Sequence, residues 1–269
     1  MTAANFREKT VVVVSASTQG SADPARQGSR PHIGEVCAQE FRRRGASVIV
    51  VDGDEATLAG LAAPASGQAE AVDTILADPG DAGSLVAAAR LCGERYASVD
   101  VLVTCHSEME VAGIEETSAA SWARIVNDNL LGPVFATKAF LPLLKRSGSG
   151  AIVHIGSIDG TLGNPQIPAY STSKGGLVPL THVMADEFAR YGIRVNCVAR
   201  AMFAARGGPV NPRHAALIGQ TPLARPAFPE EIAAAVCFLA SSEASYVNGV
   251  VLPVDGGRSG ITPGTRSGA

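Results

Sequence analysis

Short runs of β-branched and apolar residues recur along this chain, and nearly every pair is separated by a segment with helical spacing. The runs are Thr10–Val14, Ser47–Val51, Ala69–Ala77, Val99–Val103, Ala151–Ile155, Ile193–Val198 and Val250–Val254. The intervening segments are Ile33–Arg44, Asp54–Leu61, Asp81–Tyr96, Ser118–Leu144, Pro168–Tyr191 and Pro229–Ala240. Gly45, the 147–150 turn and Gly192 stop three of the helices, and Pro229 opens the last. Near-continuous apolar strands belong to a parallel sheet covered on both faces. Right-handed crossovers then give an α/β chain with one doubly wound parallel sheet. Ligands of such sheets sit at the carboxyl ends of the strands, beside the switch point. That directs attention to Ser15–Ser17, Asp52, Asp78, Thr104–Ser107, Ser157 and Arg200–Ala201.

The length of 269 residues suits one large domain, expected over residues 1–255, with a Gly/Ser/Thr-rich flexible tail at 256–269. The net charge of −3 and the absence of a long basic run speak against nucleic-acid and anionic-membrane partners. The Arg42–Arg44 run ends a helix, where cations suit the dipole, and reads as a solvated face. Met1–Lys9 carries no secretory signal, and no apolar run has membrane-spanning length. Cys37, Cys92, Cys105, Cys197 and Cys237 form no C-x-x-C pair and read as buried thiols of a cytoplasmic protein. No His/Cys/Asp/Glu set has metal-ligand spacing.

The sharpest chemical signal is Y-S-T-S-K, Tyr170 to Lys174, early in a helix. The two side chains lie about one turn apart on one face. An ammonium beside a phenol favours the phenolate, so Tyr170 is a candidate general acid/base. The strand before this helix ends in I-V-H-I-G-S, which places the Ser157 hydroxyl at the sheet edge. Asn129 is a polar amide inside an otherwise apolar helix.

Asn129, Ser157, Tyr170 and Lys174, in this order and spacing, resemble the catalytic tetrad of the short-chain dehydrogenase/reductase family. The segments A-Y-S-T-S-K-G-G-L-V-P-L-T-H-V-M-A-D-E-F-A-R-Y-G-I-R-V-N-C-V-A and T-P-L-A-R-P-A-F-P-E-E-I-A-A-A-V-C-F-L-A-S-S-E-A-S-Y-V-N-G-V-V-L-P-V-D-G-G resemble its later parts closely. The likeness spans nearly the whole chain and implies a Rossmann-type fold. It implies that Tyr170 exchanges a proton with the substrate oxygen and that Ser157 polarises the carbonyl. Lys174 would lower the tyrosine pKa and bond the nicotinamide ribose, and Asn129 would support a water leading to Lys174. Ser15, Ser17, Gly20, Ile33, Gly34, Asp52, Asp78 and Thr104 would join Tyr170 and Lys174 around the cofactor. A carboxylate at Asp52 accepts from ribose hydroxyls and repels a 2′-phosphate, which favours NAD over NADP. A helix cap is the structural alternative for Asp52, and a cap or turn the alternative for Asp78. The partners implied are a small hydroxyl/carbonyl substrate and further copies of the chain, as a tetramer or dimer.

Four departures from the family pattern touch the cofactor side. Ser15 and Ala16 replace the first two residues of the glycine-rich turn, and the insertion at Ser21–Pro31, which holds Arg26 and Arg30, lengthens it. The enoyl-reductase branch also stretches this loop, but spaces its tyrosine and lysine more widely. Thr104–Ser107 reads T-C-H-S for N-N-A-G, Arg200–Ala201 reads R-A for P-G, and Ala205 stands where a threonine bonds the nicotinamide amide. His106 and His154 read as structural. Met202–Gln220 would cover the active site. The expected activity is NAD(H)-dependent exchange of a secondary alcohol and a ketone. The alternatives are a non-redox dehydratase, isomerase or cyclase on the same scaffold, and a catalytically silent subunit.

Overall fold

A computed structural model describes residues 5–16, 32–62, 72–208 and 215–262. Ser17, Gly20, Arg26 and Arg30 lie outside the described residues. The strands are β1 (Thr10–Ser15), β2 (Ser47–Asp52), β3 (Asp73–Leu76), β4 (Val101–Cys105), β5 (Ala151–Ser157), β6 (Arg194–Arg200) and β7 (Val251–Val254). They form one seven-stranded sheet in the order β3-β2-β1-β4-β5-β6-β7, and every pairing is parallel. The order reverses between β1 and β4, which is the switch point of a doubly wound sheet.

The helices are α1 (Ile33–Arg43), α2 (Glu55–Ala62), α3 (Ala82–Arg95), α4 (Ala119–Val126), α5 (Gly132–Ser147), α6 (Asp159–Leu162), α7 (Pro168–Ala189), α8 (Ala215–Gly219) and α9 (Pro229–Ala240). Val11, Val13, Val48 and Val50 face one side with Phe41 of α1 and Ile232 and Val236 of α9. Val12, Val14, Ile49 and Leu102 face the other with Leu85 of α3, Phe140 of α5 and Phe188 of α7. The two valine sets alternate along the same strands, so each strand is apolar on both faces. That is why it reads as a continuous run rather than an alternating one.

Several elements differ from the sequence expectation. The single helix expected over Ser118–Leu144 is instead α4, a π-helical turn at Asn127–Leu131, and α5. Pro133 explains the break. It has no N–H to give, and its ring crowds the carbonyl four residues back, that of Asn129. The Gly132 N–H therefore donates five residues back, to the Asn127 carbonyl. The short helix α6 was not expected at all. β3 stops at Leu76, one residue short of the expected end, and residues 69–71 lie outside the described residues.

The first residues of the expected tail are fastened to Asp255, which accepts from the backbone N–H groups of Gly257 (2.9 Å) and Ser259 (2.7 Å). Among the described residues, no helix is long and apolar enough to cross a membrane.

Candidate active site

Parallel register brings Ser15, Cys105, Ser157 and Arg200 to one edge of the sheet. Ser15 pairs with Cys105, and Ser157 pairs with Arg200. α7 starts immediately beside this edge because Pro168, at its first turn, tolerates the missing N–H there. Its first two turns carry Tyr170 and Lys174, both 2% exposed.

The Lys174 ammonium is held by two backbone carbonyls, His106 O at 2.5 Å and Ile155 O at 2.9 Å. Both belong to the sheet edge, so β4 and β5 fix where the charge sits. The ammonium lies 5.9 Å from the Tyr170 ring centre. Burial and the nearby Arg200 lower its pKa, while Tyr170 opposes the shift. Burial pushes the Tyr170 phenol up, but Arg200, Lys174 and a hydrogen bond with Ser157 outweigh it. The net result is a tyrosine held below its ordinary pKa. Arg200 Nη2 lies 3.5 Å from the Tyr170 hydroxyl, so the phenol is flanked by two cations.

Ser157 ends β5 and is 5% exposed. Its hydroxyl oxygen accepts from the Asp159 N–H at 3.1 Å, which turns the chain directly into α6. Asn129, fully buried in the π-helical turn, is bound on three sides. Its Oδ1 accepts from the Glu108 N–H (2.8 Å), and its Nδ2 donates to Glu108 O (2.7 Å) and Ser173 Oγ (3.0 Å). Ser173 in turn donates to the Tyr170 carbonyl at 2.8 Å. Asn129 thus ties the loop after β4 to the turn of α7 that carries Tyr170 and Lys174.

On the other side of the switch point, Ser15 is buried and α1 begins at Ile33. A methyl on Gly34 would meet Ser15 Oγ at 2.6 Å, so the helix start is pressed against the end of β1. His32, at its N-cap, makes no side-chain capping bond. An α-helix N-terminus at this place, in close contact with the strand, suits a pyrophosphate. Asp52 is fully buried at the end of β2, and its Oδ1 accepts from the Asp54 N–H at 2.9 Å. The cap of α2 is Asp54, which accepts from the N–H groups of Ala56 (3.2 Å) and Thr57 (3.1 Å). The capping duty considered for Asp52 therefore belongs to its neighbour. These features fit a dinucleotide with its pyrophosphate at α1 and its adenosine ribose near β2.

Two of the expected cofactor residues have their side chains turned to other partners. Asp78 is exposed, and its Oδ1 accepts from the Gly80 N–H at 2.8 Å, a turn role. Thr104 Oγ1 is 2.8 Å from His154 Nδ1, across the β4–β5 ladder. His106 is fully buried, with Nε2 3.1 Å from the Pro79 carbonyl and its ring packed where Gly132 leaves room.

Two contributors could not be singled out from the sequence alone, Ser173 and Glu108, which join Asn129 to α7. Ser107, in the Thr104–Ser107 segment at the sheet edge, accepts from Arg200 Nη2 at 3.1 Å. The paired glycines of S-K-G-G lie at close approaches of α7, Gly175 to Gly160 and Gly176 to Leu130.

The family model described as enoyl-(acyl carrier protein) reductase matches residues 29–259. Galactitol 2-dehydrogenase (L-tagatose-forming) of Cereibacter sphaeroides is 38% identical over 83% of this chain and 89% of its own length. Cis-4-hydroxycyclohexanecarboxylate dehydrogenase of Sinomonas cyclohexanicum is 35% identical over 87% of this chain and 95% of its own length. The ligand-free structure of Thermoplasma acidophilum aldohexose dehydrogenase superposes with a TM-score of 0.80 at 28% identity, covering 98% of each chain. The chain belongs to the short-chain dehydrogenase/reductase family. It is an oxidoreductase of that family, whose dehydrogenases use NAD or NADP.

Proposed function

We propose that this protein is an NAD(H)-dependent oxidoreductase that interconverts a secondary alcohol and a ketone, with Tyr170 as the general acid/base. The observation that carries the reading is the Tyr170 hydroxyl, buried at the sheet edge beside Ser157 and flanked by Lys174 and Arg200.

A nicotinamide cofactor, when bound, would supply or accept the hydride at the carbonyl or carbinol carbon. The protein's part is the proton and the orientation. In reduction, Tyr170 O–H gives its proton to the carbonyl oxygen as that oxygen gains charge, and the phenolate left behind is stabilised by the two cations. In oxidation the phenolate takes the proton from the alcohol. Ser157 donates to the same substrate oxygen and fixes its position. Lys174, held by two carbonyls, supports the phenolate and would bond the ribose of a bound nicotinamide cofactor. Asn129 holds the loop carrying Glu108 against α7 and supports a proton path to Lys174.

Ser15, Ile33 and Gly34 would form the pyrophosphate end of the site, and Asp52 would accept from the adenosine ribose. A carboxylate there repels a 2′-phosphate, so NAD is preferred to NADP. Ser17 and Gly20 would complete the loop, while Asp78 and Thr104 would line the site through their backbone. The protein would act as a single unit over residues 1–255, as a cytoplasmic homotetramer or dimer on a small substrate.

NADH binding, measured by fluorescence transfer or thermal shift, and turnover of ketones followed by nicotinamide absorbance, test this. Tyr170→Phe should leave binding in place and remove turnover. No binding at millimolar NADH and NADPH would end the reading. Product formed without a change in nicotinamide absorbance would replace it with non-redox chemistry.

A further inference from the structure

Two of the four departures from the family pattern meet in space. Arg200 stands where the pattern has proline at the end of β6, and Ser107 where it has glycine after β4. Arg200 Nη2 donates to Ser107 Oγ at 3.1 Å. The other contacts of the guanidinium are the Tyr170 hydroxyl at 3.5 Å, the Ala201 carbonyl at 3.3 Å, and the Phe203 ring at 4.9 Å. None of these groups is a carboxylate or other fixed anion. Among the described residues Arg200 is in no ion pair, although it is half-buried. A partly desolvated cation without a counter-charge is costly, and a guanidinium fork is shaped to receive a carboxylate through two parallel bonds.

The position decides which anion it serves. From β1, whose end abuts the start of α1, the sheet runs through β4 and β5 to β6. Three strand spacings place the β6 end about 14 Å from the pyrophosphate end of the site. Arg200 instead lies opposite Ser157 in the ladder and reaches the Tyr170 hydroxyl, where the reacting oxygen would sit.

We propose that Arg200, seated by Ser107 and Phe203, is a carboxylate subsite that selects 2- or 3-oxo acids and the matching hydroxy acids as substrates. This rests on the oxidoreductase reading above and names its substrate class. The short distance from Arg200 to Tyr170 sets the chain length. The carboxylate has to lie one or two carbons from the reacting carbonyl. The reaction is the same hydride and proton exchange, with the carboxylate unchanged.

The experiment compares a 2-oxo acid and a 3-oxo acid with their methyl esters, reading kcat/KM with NADH. The wild type should favour at least one acid over its ester by tenfold or more. In Arg200→Met the acid-to-ester ratio should fall to near one, and Arg200→Lys, a charge without the fork, should restore part of it. A wild-type ratio at or below one for both pairs, or an unchanged ratio in Arg200→Met, overturns the proposal. Calorimetric titration with oxamate and malonate, in the presence of NADH, gives a readout that needs no turnover. Binding of either, weakened tenfold or more in Arg200→Met, supports the subsite. Equal binding in both proteins, no binding to the wild type, or a loss of NADH affinity in place of carboxylate affinity overturns it. If no ketone is turned over while carboxylate binding depends on Arg200, the oxidoreductase reading fails and the anion subsite stands.

Discussion

Gly160 of α6 rests directly on the backbone of Gly175 in α7. A methyl at residue 160 would come within 2.7 Å of the Gly175 nitrogen and 2.7 Å of the Lys174 carbonyl carbon. Neither atom can move without moving the turn that carries Lys174. Ser157 and Lys174 are thus set against one another by a contact between two residues that carry no side chain. Gly160→Ala should push α6 off α7, cost about 1–3 kcal/mol of stability through overpacking, and lower kcat roughly tenfold or more. Gly60→Ala is the control. It lies in α2 with open space around it and should gain a few tenths of a kcal/mol, up to about 1, from helix propensity alone. Denaturation midpoints and kcat for both variants check this. Equal kcat in wild type and Gly160→Ala would mean that the contact does not position Lys174.

The pH profile of alcohol oxidation should report the two cations beside Tyr170. Oxidation needs the phenolate, so the rate should rise with pH and level off above the tyrosine's apparent pKa, below the ordinary value of about 10. Arg200 and Lys174 each lower that pKa. Removing either charge, in Arg200→Met or Lys174→Met, should move the rising limb to higher pH. If both variants keep the wild-type limb and lose only amplitude, the titrating group is not Tyr170.

The fold was legible because β-branched strands and amphipathic helices alternate with little irregularity. Val11–Val14 and Ile33–Arg44 could be assigned from the side-chain pattern alone, and α1 ends one residue earlier, at Arg43. Three of the candidate residues could be placed together because their signals are local: Tyr170 and Lys174 share a helical face, and Ser157 ends a strand. What escaped was set by backbone geometry and by contacts distant in sequence. The π-helical turn around Asn129 comes from Pro133 acting on the turn before it. α6 exists because the Ser157 hydroxyl receives the Asp159 N–H. The meeting of Arg200 with Ser107 joins residues 93 positions apart, and no local pattern encodes it. Asp52 and Asp54 show the limit from the other side. Both precede α2, and only the observed hydrogen bonds assign the cap to Asp54.

Stability should fall in mild acid because two histidines are buried in their neutral form. Burial lowers the pKa of His106 to about 4, with Lys174 adding to the shift, and that of His154 to about 3, with His106 adding. The unfolded chain takes up these protons near pH 6.5, while the folded chain resists them. The stabilisation is therefore complete above about pH 6.5 and is lost as pH falls toward 4 and 3. Asp128 works the other way. Burial raises its pKa to about 6, so its contribution favours the fold below pH 4 and is lost as pH rises through 6. The two histidines outweigh the single half-buried acid, and the net slope is a loss in acid. His154→Asn keeps a polar partner for Thr104 and removes the titration. Urea unfolding at pH 4, 5, 6 and 7 should show a shallower acid slope in this variant. An acid slope equal to the wild type's would exclude His154 as a source.

The start of α1 offers a paired test of how the cofactor end is built. At Gly34 an added methyl would meet Ser15 Oγ at 2.6 Å and Ser15 Cβ at 2.8 Å, and the next neighbour, Cys105 Cβ, is 3.6 Å away. The obstruction is therefore one side chain, and it can be removed. Gly34→Ala should cost about 1–3 kcal/mol and weaken NADH binding, because the helix start must back away from the end of β1. Ser15→Gly removes both clashing atoms. In the double variant Ser15→Gly/Gly34→Ala the new methyl occupies the space the serine left. The combined cost should then be smaller than the sum of the single costs by about 1 kcal/mol or more, a coupling expected only for residues in contact. Stability from denaturant unfolding and NADH affinity from fluorescence titration should recover together. Recovery of stability without recovery of affinity would show that Ser15 itself contacts the dinucleotide. Strict additivity in both would show that α1 does not seat on Ser15 in solution.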